Sequence, residues 1–418
     1  MKIFKTLPLL LCALAAGCGI IRENWQTDEN SDSWSFGQEL SFFNRYGIQT
    51  VILSDGDSVA AVSPQFQGRV LTSTYGGVEA PSLGWINRAL IAFKKDDMQK
   101  ARLGGEDCFG VGPGGGDESI FFSRGKIFSE ENWTVPAWVS KEPWELVAQT
   151  RRQAKFAKTA EFENAKGTRF KVKAEREVSL LTRKNAADIL GIEIPDSVKI
   201  VAFQSLNKIS NDGDKAWNPE YGRLNITVSG YFNASKNTFV FIPFREGDVS
   251  KFGDIVRDDY FEPAMGITDS SKRLFVTQDY IRFRADAKAL SGISVPPRRS
   301  EGIALSYDDA KKVLTVITYL RPADKREYLA SSWRRTPNPN DDGDAISVFN
   351  NGPLSRTSAP AEPYFQISTY SPAIHIAPGR SQFHLQRTFH FNGSEYDLGL
   401  ISYKLAGISI GQLRGESE

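Results

Sequence analysis

The fold of this chain is decided by stretches such as residues 314–319, LTVITY, in which β-branched and aromatic residues follow one another without Gly or Pro. Such runs are typical of β-strands, because branched and aromatic side chains fit the pleated surface of a sheet. Four further stretches have the same character: residues 50–53 (TVIL), 170–173 (FKVK), 199–203 (KIVAF) and 238–242 (TFVFI). Their spread along the 418 residues predicts a protein that is mostly β.

Turn signals and a shortage of helical pattern refine this prediction. Asn or Asp followed by Gly supplies the positive φ that turns between antiparallel strands need. Such signals occur at Asp55-Gly56, Asn211-Asp212-Gly213, Asn351-Gly352 and Asn392-Gly393. Helical periodicity is best in residues 142–153 and 155–163, and both stretches are short. Many strands, few short helices and regular turns predict an antiparallel β-sandwich or supersandwich.

The N-terminal residues have the order of a secretory signal. Lys2 and Lys5 precede an apolar stretch at residues 7–16, and Gly17-Cys18 follows. The apolar stretch is about half of the ~20 residues that a membrane-spanning helix needs. We therefore expect an exported protein.

Residues 14–18, LAAGC, resemble the lipobox at which a signal peptidase cleaves before a lipidated cysteine, although Ala15 stands where Leu or Val is usual. This resemblance implies a signal peptide at residues 1–17 and a lipid on Cys18. The protein would then be anchored to a membrane of the bacterial cell envelope, facing the periplasm or the cell surface. Cleavage of an ordinary signal peptide nearby is the alternative.

Cysteine content and charge agree with export. Cys12 leaves with the signal and Cys18 carries the lipid, so Cys108 stays as a single thiol and no internal disulfide is expected. The formal net charge is +1, and the loss of Lys2 and Lys5 changes it to −1. Such a balanced charge argues against nucleic acid as a partner.

The rest of the chain shows one change of composition. Residues 18–33 are polar and acidic, which is typical of a tether between a membrane and a folded domain. From residue 34 onward there is no long Gly/Ser or Pro linker and no fixed-period repeat. We therefore predict a single β-supersandwich domain at residues 34–418.

A resemblance to known proteins begins at residues 59–71, VAAVSPQFQGRVL. This stretch is similar to the opening of galactose-mutarotase-like proteins, in which an early strand is followed by Pro, Gly, Gly-Arg and another strand. Nearly all of the mature chain also resembles a family of Bacteroidota lipoproteins of unknown function within that superfamily. The matching stretches are residues 104–107, 112–113, 131–133, 201–207, 259–261, 371–373 and 384–391. The resemblance implies a supersandwich whose concave sheet faces a carbohydrate, and it implies no particular reaction.

Two positions depart from the pattern of that family. This chain has Cys108 where a basic residue is usual and Gln366 where Glu is usual. Both differences remove a charge. If the two positions line the pocket, we expect altered specificity or a loss of catalysis.

The histidines are the first candidates for catalysis, because the chain has only three, His375, His384 and His390. Mutarotase-like chemistry uses an imidazole as general acid and a carboxylate as general base. We therefore take His384 and His390 as candidate acids and Glu106 as the candidate base. Purely structural hydrogen bonding is the alternative for each histidine.

A strand at residues 383–391 would place His384 and His390 on one polar face, together with Gln386 and Thr388. We expect this face to look into the binding cleft. Six residues at ~3.3 Å each put the two imidazoles about 20 Å apart, too far to hold one metal ion together.

The candidate substrate-binding residues are polar or aromatic. Glu106 and Asp107 are adjacent, so in an extended chain they point to opposite sides and do not form an acid/base pair with each other. Rings stack on the apolar faces of sugars, and arginine or amide groups donate to sugar hydroxyls. The residues selected on this basis are Arg69, Asp107, Trp133, Arg176, Asn207 and Trp217.

No cofactor is expected, with one open alternative. Asp258-Asp259 and residues 341–344, DDGD, have the acidic character of calcium loops. Solvated acidic turns are the other interpretation, and the second stretch lacks the full EF-hand spacing.

Three classes of function therefore stay open from the sequence. The first is an enzyme that acts on a sugar ring by epimerase, lyase or hydrolase chemistry. The second is a lipoprotein that binds a glycan without changing it. The third is a structural component of the envelope, which is expected if side chains fill the cleft.

Overall fold

A computed structural model describes residues 34–93, 98–99, 101–129, 131–258, 273–322, 327–329, 343–353 and 363–415. The predicted signal peptide, the tether and Cys18 lie outside the described residues, and the predicted domain limits stay a prediction. Within the described part, β-strands dominate and helices are few and mostly short. The predicted mostly-β class is confirmed.

The strands pair antiparallel throughout the three described sheets. Along the chain they are β1 (Val51–Asp55), β2 (Ser58–Ser63), β3 (Arg69–Thr74), β4 (Cys108–Gly112), β5 (Glu145–Gln149), β6 (Gln153–Glu163), β7 (Arg169–Leu181), β8 (Lys199–Asn211), β9 (Asn225–Asn233), β10 (Phe239–Pro243), β11 (Leu274–Val276), β12 (Tyr280–Arg284), β13 (Ser291–Val295), β14 (Ile303–Asp308), β15 (Val313–Tyr319), β16 (Ile346–Asn350), β17 (Tyr364–Tyr370) and β18 (Ser381–Asn392).

The strands form one large and two smaller sheets. The large sheet has ten strands in the order β11-β12-β10-β14-β15-β18-β8-β7-β6-β5. A second sheet has five strands in the order β13-β16-β17-β9-β4, and β1, β2 and β3 form the third. Several neighbours, such as β18 and β8 or β17 and β9, are far apart in sequence, so the polar residues of distant segments come together on the same sheet.

Apolar side chains join the ten-stranded and five-stranded sheets face to face. Val240 and Ile317 of the large sheet are fully buried in one cluster with Ile293, Val348 and Ile367 of the five-stranded sheet. Because side chains alternate across a strand, the residues between these apolar positions point away from the shared core. One face of the five-stranded sheet is thus used for packing and the other is left for a different role.

The helices are α1 (Phe36–Arg45), α2 (Arg88–Phe93), α3 (Arg183–Leu190), α4 (Val249–Phe252), α5 (Glu395–Ala406) and α6 (Ile410–Leu413). Leu398 and Ile401 of α5 pack in one cluster with Phe389 and Phe391 of β18, so this helix covers the other face of the large sheet. Ser394 begins α5 by accepting a hydrogen bond from the Asp397 amide. None of the described helices has the length and apolar character that crossing a membrane requires.

The five quoted strand stretches are confirmed as parts of β1, β7, β8, β10 and β15. The two helix predictions are wrong, because residues 142–153 and 155–163 form most of β5 and β6. Ala154 and Phe156 are buried in the core, and the pairing of the whole of β6 with β7 outweighs local helix propensity. Of the turn signals, Asp55-Gly56 joins two paired strands, whereas Asn392-Gly393 leads into α5.

Candidate functional site

A cavity of about 190 Å³ with many polar lining residues lies on the five-stranded sheet. We call it the outer cavity. Its floor takes alternate residues of three neighbouring strands, which are Cys108, Gly110 and Gly112 of β4, Asn225, Thr227, Ser229 and Tyr231 of β9, and Gln366, Ser368 and Tyr370 of β17. The floor is therefore the face that does not pack against the large sheet.

Strand register aligns these residues in rows. Ser229 pairs with Cys108 on one side and with Ser368 on the other. Glycine at two positions of β4 keeps the floor open. A Cβ atom at Gly110 would lie 2.4 Å from Thr227 Oγ1, and one at Gly112 would lie 2.4 Å from Asn225 Oδ1.

The floor is rich in neutral hydrogen-bonding groups. Gln366 Nε2 donates to Ser368 Oγ at 2.6 Å, and the Ser229 and Ser368 hydroxyls are 2.7 Å apart. Asn225 Oδ1 is buried and has no hydrogen-bond partner among the described residues. An unpaired acceptor at a cavity wall is a group that a ligand hydroxyl can satisfy.

Two arginines and a tryptophan line the wall of the outer cavity. Arg69, the first residue of β3, is 8% exposed and donates to the Gly104 carbonyl at 2.9 Å and to Gln67 Oε1 at 3.3 Å. The Arg102 guanidinium lies over the Trp133 ring, 4.6 Å from its centroid. Of the six predicted binding residues, the structure places Arg69 and Trp133 at this cavity.

Both departures from the family pattern, Cys108 and Gln366, also line the outer cavity. The Cys108 thiol donates to the Gly104 carbonyl at 3.3 Å. Burial raises the pKa of Cys108 to about 11, so its side chain is uncharged at neutral pH. The two positions thus contribute neutral groups to the cavity.

A second set of polar residues lies buried beside the core, and we call it the inner layer. Glu106 is 0% exposed and accepts from the Ser73 hydroxyl at 2.8 Å, and its Oε2 lies 2.8 Å from His390 Nε2. The other ring nitrogen of His390 is 2.8 Å from Thr315 Oγ1. Glu106 and His390, predicted as base and acid, are therefore hydrogen-bonded to each other. His390 also lines a small cavity of about 40 Å³.

His384 lies in the same strand as His390 but in a different environment. The predicted strand is confirmed as β18, and His384, Gln386, Thr388 and His390 are all buried. His384 Nε2 is 2.9 Å from Thr369 Oγ1 of β17, so this polar face packs against the five-stranded sheet. We had expected it to look into an open cleft, and that expectation is wrong. Burial lowers the pKa of His384 to about 3, so the ring is neutral at pH 7.

Arg176, Asp107 and Asn207 form a further part of the inner layer. Arg176 makes an ion pair with Asp107 and donates to Asn207 Oδ1 at 2.6 Å. Asp107 also accepts from the Ser205 hydroxyl at 2.9 Å. Burial raises the pKa of Asp107, and the Arg176 charge opposes that shift. Asp107 and Glu106 bind separate partners, as the extended chain predicted.

The remaining candidates lie elsewhere. Trp217 is 2% exposed and packs in the core, with its ring centroid 5.5 Å from that of Phe170, so it is outside the lining of the outer cavity. Asp344 binds Arg257 at 3.1 Å. Asp259, Asp341 and Asp342 lie outside the described residues, and the described part of the chain holds no group of three or more potential metal ligands.

Most residues of the cavity floor were not predicted from the sequence. Asn225, Thr227, Ser229 and Tyr231 alternate with the apolar residues of β9, and this polar-apolar alternation is visible in the sequence NITVSGYFN. Such a pattern identifies two faces of a strand but does not tell which face meets a ligand. Arg102 was missed because it precedes β4 in a loop without a recognisable motif.

Similar solved structures include galactose-mutarotase-like proteins. One from Lactobacillus casei has a TM-score of 0.46 and 8% identity, over 82% of this chain and 100% of that chain. A galactose mutarotase related enzyme from Lactobacillus acidophilus has a TM-score of 0.45 and 10% identity, over 82% of this chain and 98% of that chain. A protein assigned provisionally as an aldose 1-epimerase, from Escherichia coli K12, has a TM-score of 0.47 and 10% identity, over 83% of this chain and 100% of that chain.

The amino-acid sequence shows to which protein family this chain belongs. No curated protein matches this chain. The model of a family of unknown function, DUF6786, matches residues 34–416, which is more than half of the sequence. The chain therefore belongs to the DUF6786 family.

Proposed function

We propose that this protein binds a carbohydrate in the outer cavity. The observation that carries the proposal is the floor of neutral hydrogen-bonding side chains, Asn225, Thr227, Ser229, Gln366 and Ser368, which face an open cavity of about 190 Å³. Sugar hydroxyls both donate and accept hydrogen bonds, and amide and hydroxyl side chains do the same. Ligand sites are concave surfaces of this kind, with a few converging polar groups.

Two further observations support a carbohydrate. Asn225 Oδ1 is an acceptor without a partner among the described residues, and an incoming hydroxyl would supply one. Residues 59–71, which resemble galactose-mutarotase-like proteins, contain Arg69 of the cavity wall. The open cavity also favours ligand binding over a purely structural role in the envelope.

The test is a thermal-shift and calorimetric screen of mono- and oligosaccharides against the full chain carrying Cys18→Ala. We expect at least one sugar to raise the melting temperature by mass action. Asn225→Ala is expected to weaken binding of that sugar about tenfold, the order of a hydrogen bond worth about 1.4 kcal/mol. Asn237→Ala, at an exposed turn position, serves as the control. The proposal fails if no sugar binds, or if the two variants behave alike.

Acid/base chemistry at Glu106 and His390 is the second candidate function. It is favoured by their 2.8 Å hydrogen bond and by the small cavity that His390 lines together with Asp308 and Lys311. That cavity, about 40 Å³, has room for water molecules but not for a sugar ring. NMR of each sugar that binds separates the two functions. Anomeric exchange or bond cleavage that disappears in His390→Gln would establish catalysis, whereas an unchanged sugar favours binding alone.

We also propose that the mature protein is held to a membrane through a lipid on Cys18. The support is the order of Lys2, Lys5, the apolar stretch and the LAAGC sequence at residues 14–18. In cells of a lipoprotein-processing bacterium, Cys18→Ala should move the protein from the membrane fraction to the soluble fraction. If the variant stays in the membrane fraction, the lipid anchor is wrong.

A further inference from the structure

Charge distinguishes the outer cavity from a general sugar site. Arg69 and Arg102 are the charged residues of its described lining, and no Asp, Glu or His contributes to that lining. The thiol of Cys108 is uncharged, because burial raises its pKa. The cavity therefore presents two positive charges to its contents.

Arg69 has no carboxylate partner among the residues that the structure describes. No carboxylate oxygen lies within ion-pair distance of its guanidinium in the described structure, and the guanidinium donates to a carbonyl oxygen and to an amide oxygen. Its Nε is buried and has no hydrogen-bond partner in the described part of the chain. Arg176 is buried to a similar extent, but it is neutralised by Asp107. A buried charge without a counterion is costly to a folded protein, so Arg69 indicates that an anion belongs at this site.

Arg102 is placed to contribute a second positive charge to the same site. Its guanidinium is held over the ring of Trp133, and Trp133 itself stacks with Phe121 at 5.8 Å between centroids and 11° between planes. All three residues line the outer cavity. This stacking holds a second cation at the wall, and none of the described carboxylates forms an ion pair with it, so its charge is available to a ligand.

We infer that the carbohydrate bound in the outer cavity is an acidic sugar, whose carboxylate pairs with Arg69 and is attracted by Arg102. This inference rests on the proposed function and narrows it to one class of sugar. The planar guanidinium matches a planar carboxylate better than it matches a hydroxyl. The floor residues Asn225, Thr227 and Gln366 then hydrogen-bond the uncharged hydroxyls of the same ring.

Matched ligands test the charge while the ring is kept constant. Calorimetric titrations of the full chain with Cys18→Ala would compare glucuronate and galacturonate with glucose and galactose, and glucuronate with the neutral glucuronamide. We expect an acid to bind at least about tenfold more tightly than its neutral partner. The preference should shrink as NaCl is raised from 50 to 500 mM, because salt screens the attraction.

Two variants test the residues. Arg102→Gln removes one cation, and Gln366→Glu adds a carboxylate of nearly the same shape to the floor. Each is expected to reduce the ratio of acid to neutral-sugar affinity about tenfold. Arg169→Gln, at a side chain that is 88% exposed in β7, is the matched control and should leave the ratio unchanged. Urea unfolding of every variant verifies that it is folded.

The outcomes separate this inference from the proposed function. Equal affinity for acid, amide and neutral sugar would overturn the acidic-sugar inference and leave carbohydrate binding in place. Binding of acetate, phosphate or sulfate as tightly as the acidic sugar would show an anion site without sugar recognition, and would overturn both. If neither acids nor neutral sugars bind, both also fail.

Discussion

The outer cavity and the inner layer both contain buried polar side chains, and they differ in whether the charged and amide groups singled out above have protein partners. In the inner layer, Glu106 binds Ser73 and His390, and Asp107 binds Arg176 and Ser205. In the outer cavity, Asn225 Oδ1 and Arg69 Nε have no partner among the described residues.

This difference distinguishes residues that stabilise the fold from residues that can bind a ligand. A buried polar network whose members satisfy one another rigidifies the fold but has little left to offer a ligand. Polar groups that stay unsatisfied at a cavity wall are costly unless a ligand completes them. The residue types that attract attention in a sequence, His and Glu, are here in the first situation, whereas the second involves Asn, Thr, Ser and Arg.

The largest effect is expected from breaking the inner layer at its ion pair. Arg176→Met leaves the Asp107 carboxyl buried without its cation and should lower the free energy of unfolding by about 3–5 kcal/mol. The exposed pair Lys184–Asp188 provides the control, and Lys184→Met should cost less than about 0.5 kcal/mol. Urea unfolding at pH 7 measures both. Similar losses in the two variants would contradict the assignment of Arg176 to a supporting network.

A smaller effect is expected from the titration of His384. Its pKa is about 3 in the folded protein and 6.5 in an ordinary environment, because burial disfavours the charged ring. Between these values the unfolded chain binds a proton that the folded protein does not, so stability falls as the pH is lowered from 6.5. The slope contributed by this one group is at most about 1.4 kcal/mol per pH unit.

Urea unfolding between pH 7 and pH 4 tests this prediction. His384→Gln should flatten the dependence, whereas His375→Gln, at a side chain that is 42% exposed, should leave it as in the original protein. A steep dependence that persists in His384→Gln would mean that the ring is not held neutral by burial. Such a result would mean that His384 is accessible to solvent and does not belong to the closed inner layer.

The sequence predicted the fold better than the site, and β9 and β18 show why. Alternation of polar and apolar residues predicts a two-faced strand in each case, and both strands form. Which face is closed depends on the sheet opposite, and that pairing involves residues far apart in sequence. Thr369 of β17 closes the polar face of His384, whereas the polar face of Asn225 is left open.

The helix errors have a related cause. Residues 155–163 have an acceptable helical pattern, yet they lie in β6 because β7 pairs with them along their whole length. Arg69 was singled out for a different reason, since a Gly-Arg pair between two strands is a local feature of the sequence, and its role in binding stays a prediction. Local features were therefore predictable, and features that depend on distant partners were not.

The smallest effect is expected from two matched asparagines, and it tests the comparison most directly. Asn207 accepts from Arg176 at 2.6 Å and donates to the Ser205 hydroxyl at 3.0 Å. Asn207→Ala leaves these buried groups without that partner and should lower the free energy of unfolding by about 1–3 kcal/mol. Asn225→Ala instead removes an oxygen that has no partner, at a position that opens onto a cavity. Its stability should therefore stay within about 0.5 kcal/mol of the original in urea unfolding. Equal losses at the two positions would mean that Asn225 supports the fold as Asn207 does, and the division between the outer cavity and the inner layer would no longer hold.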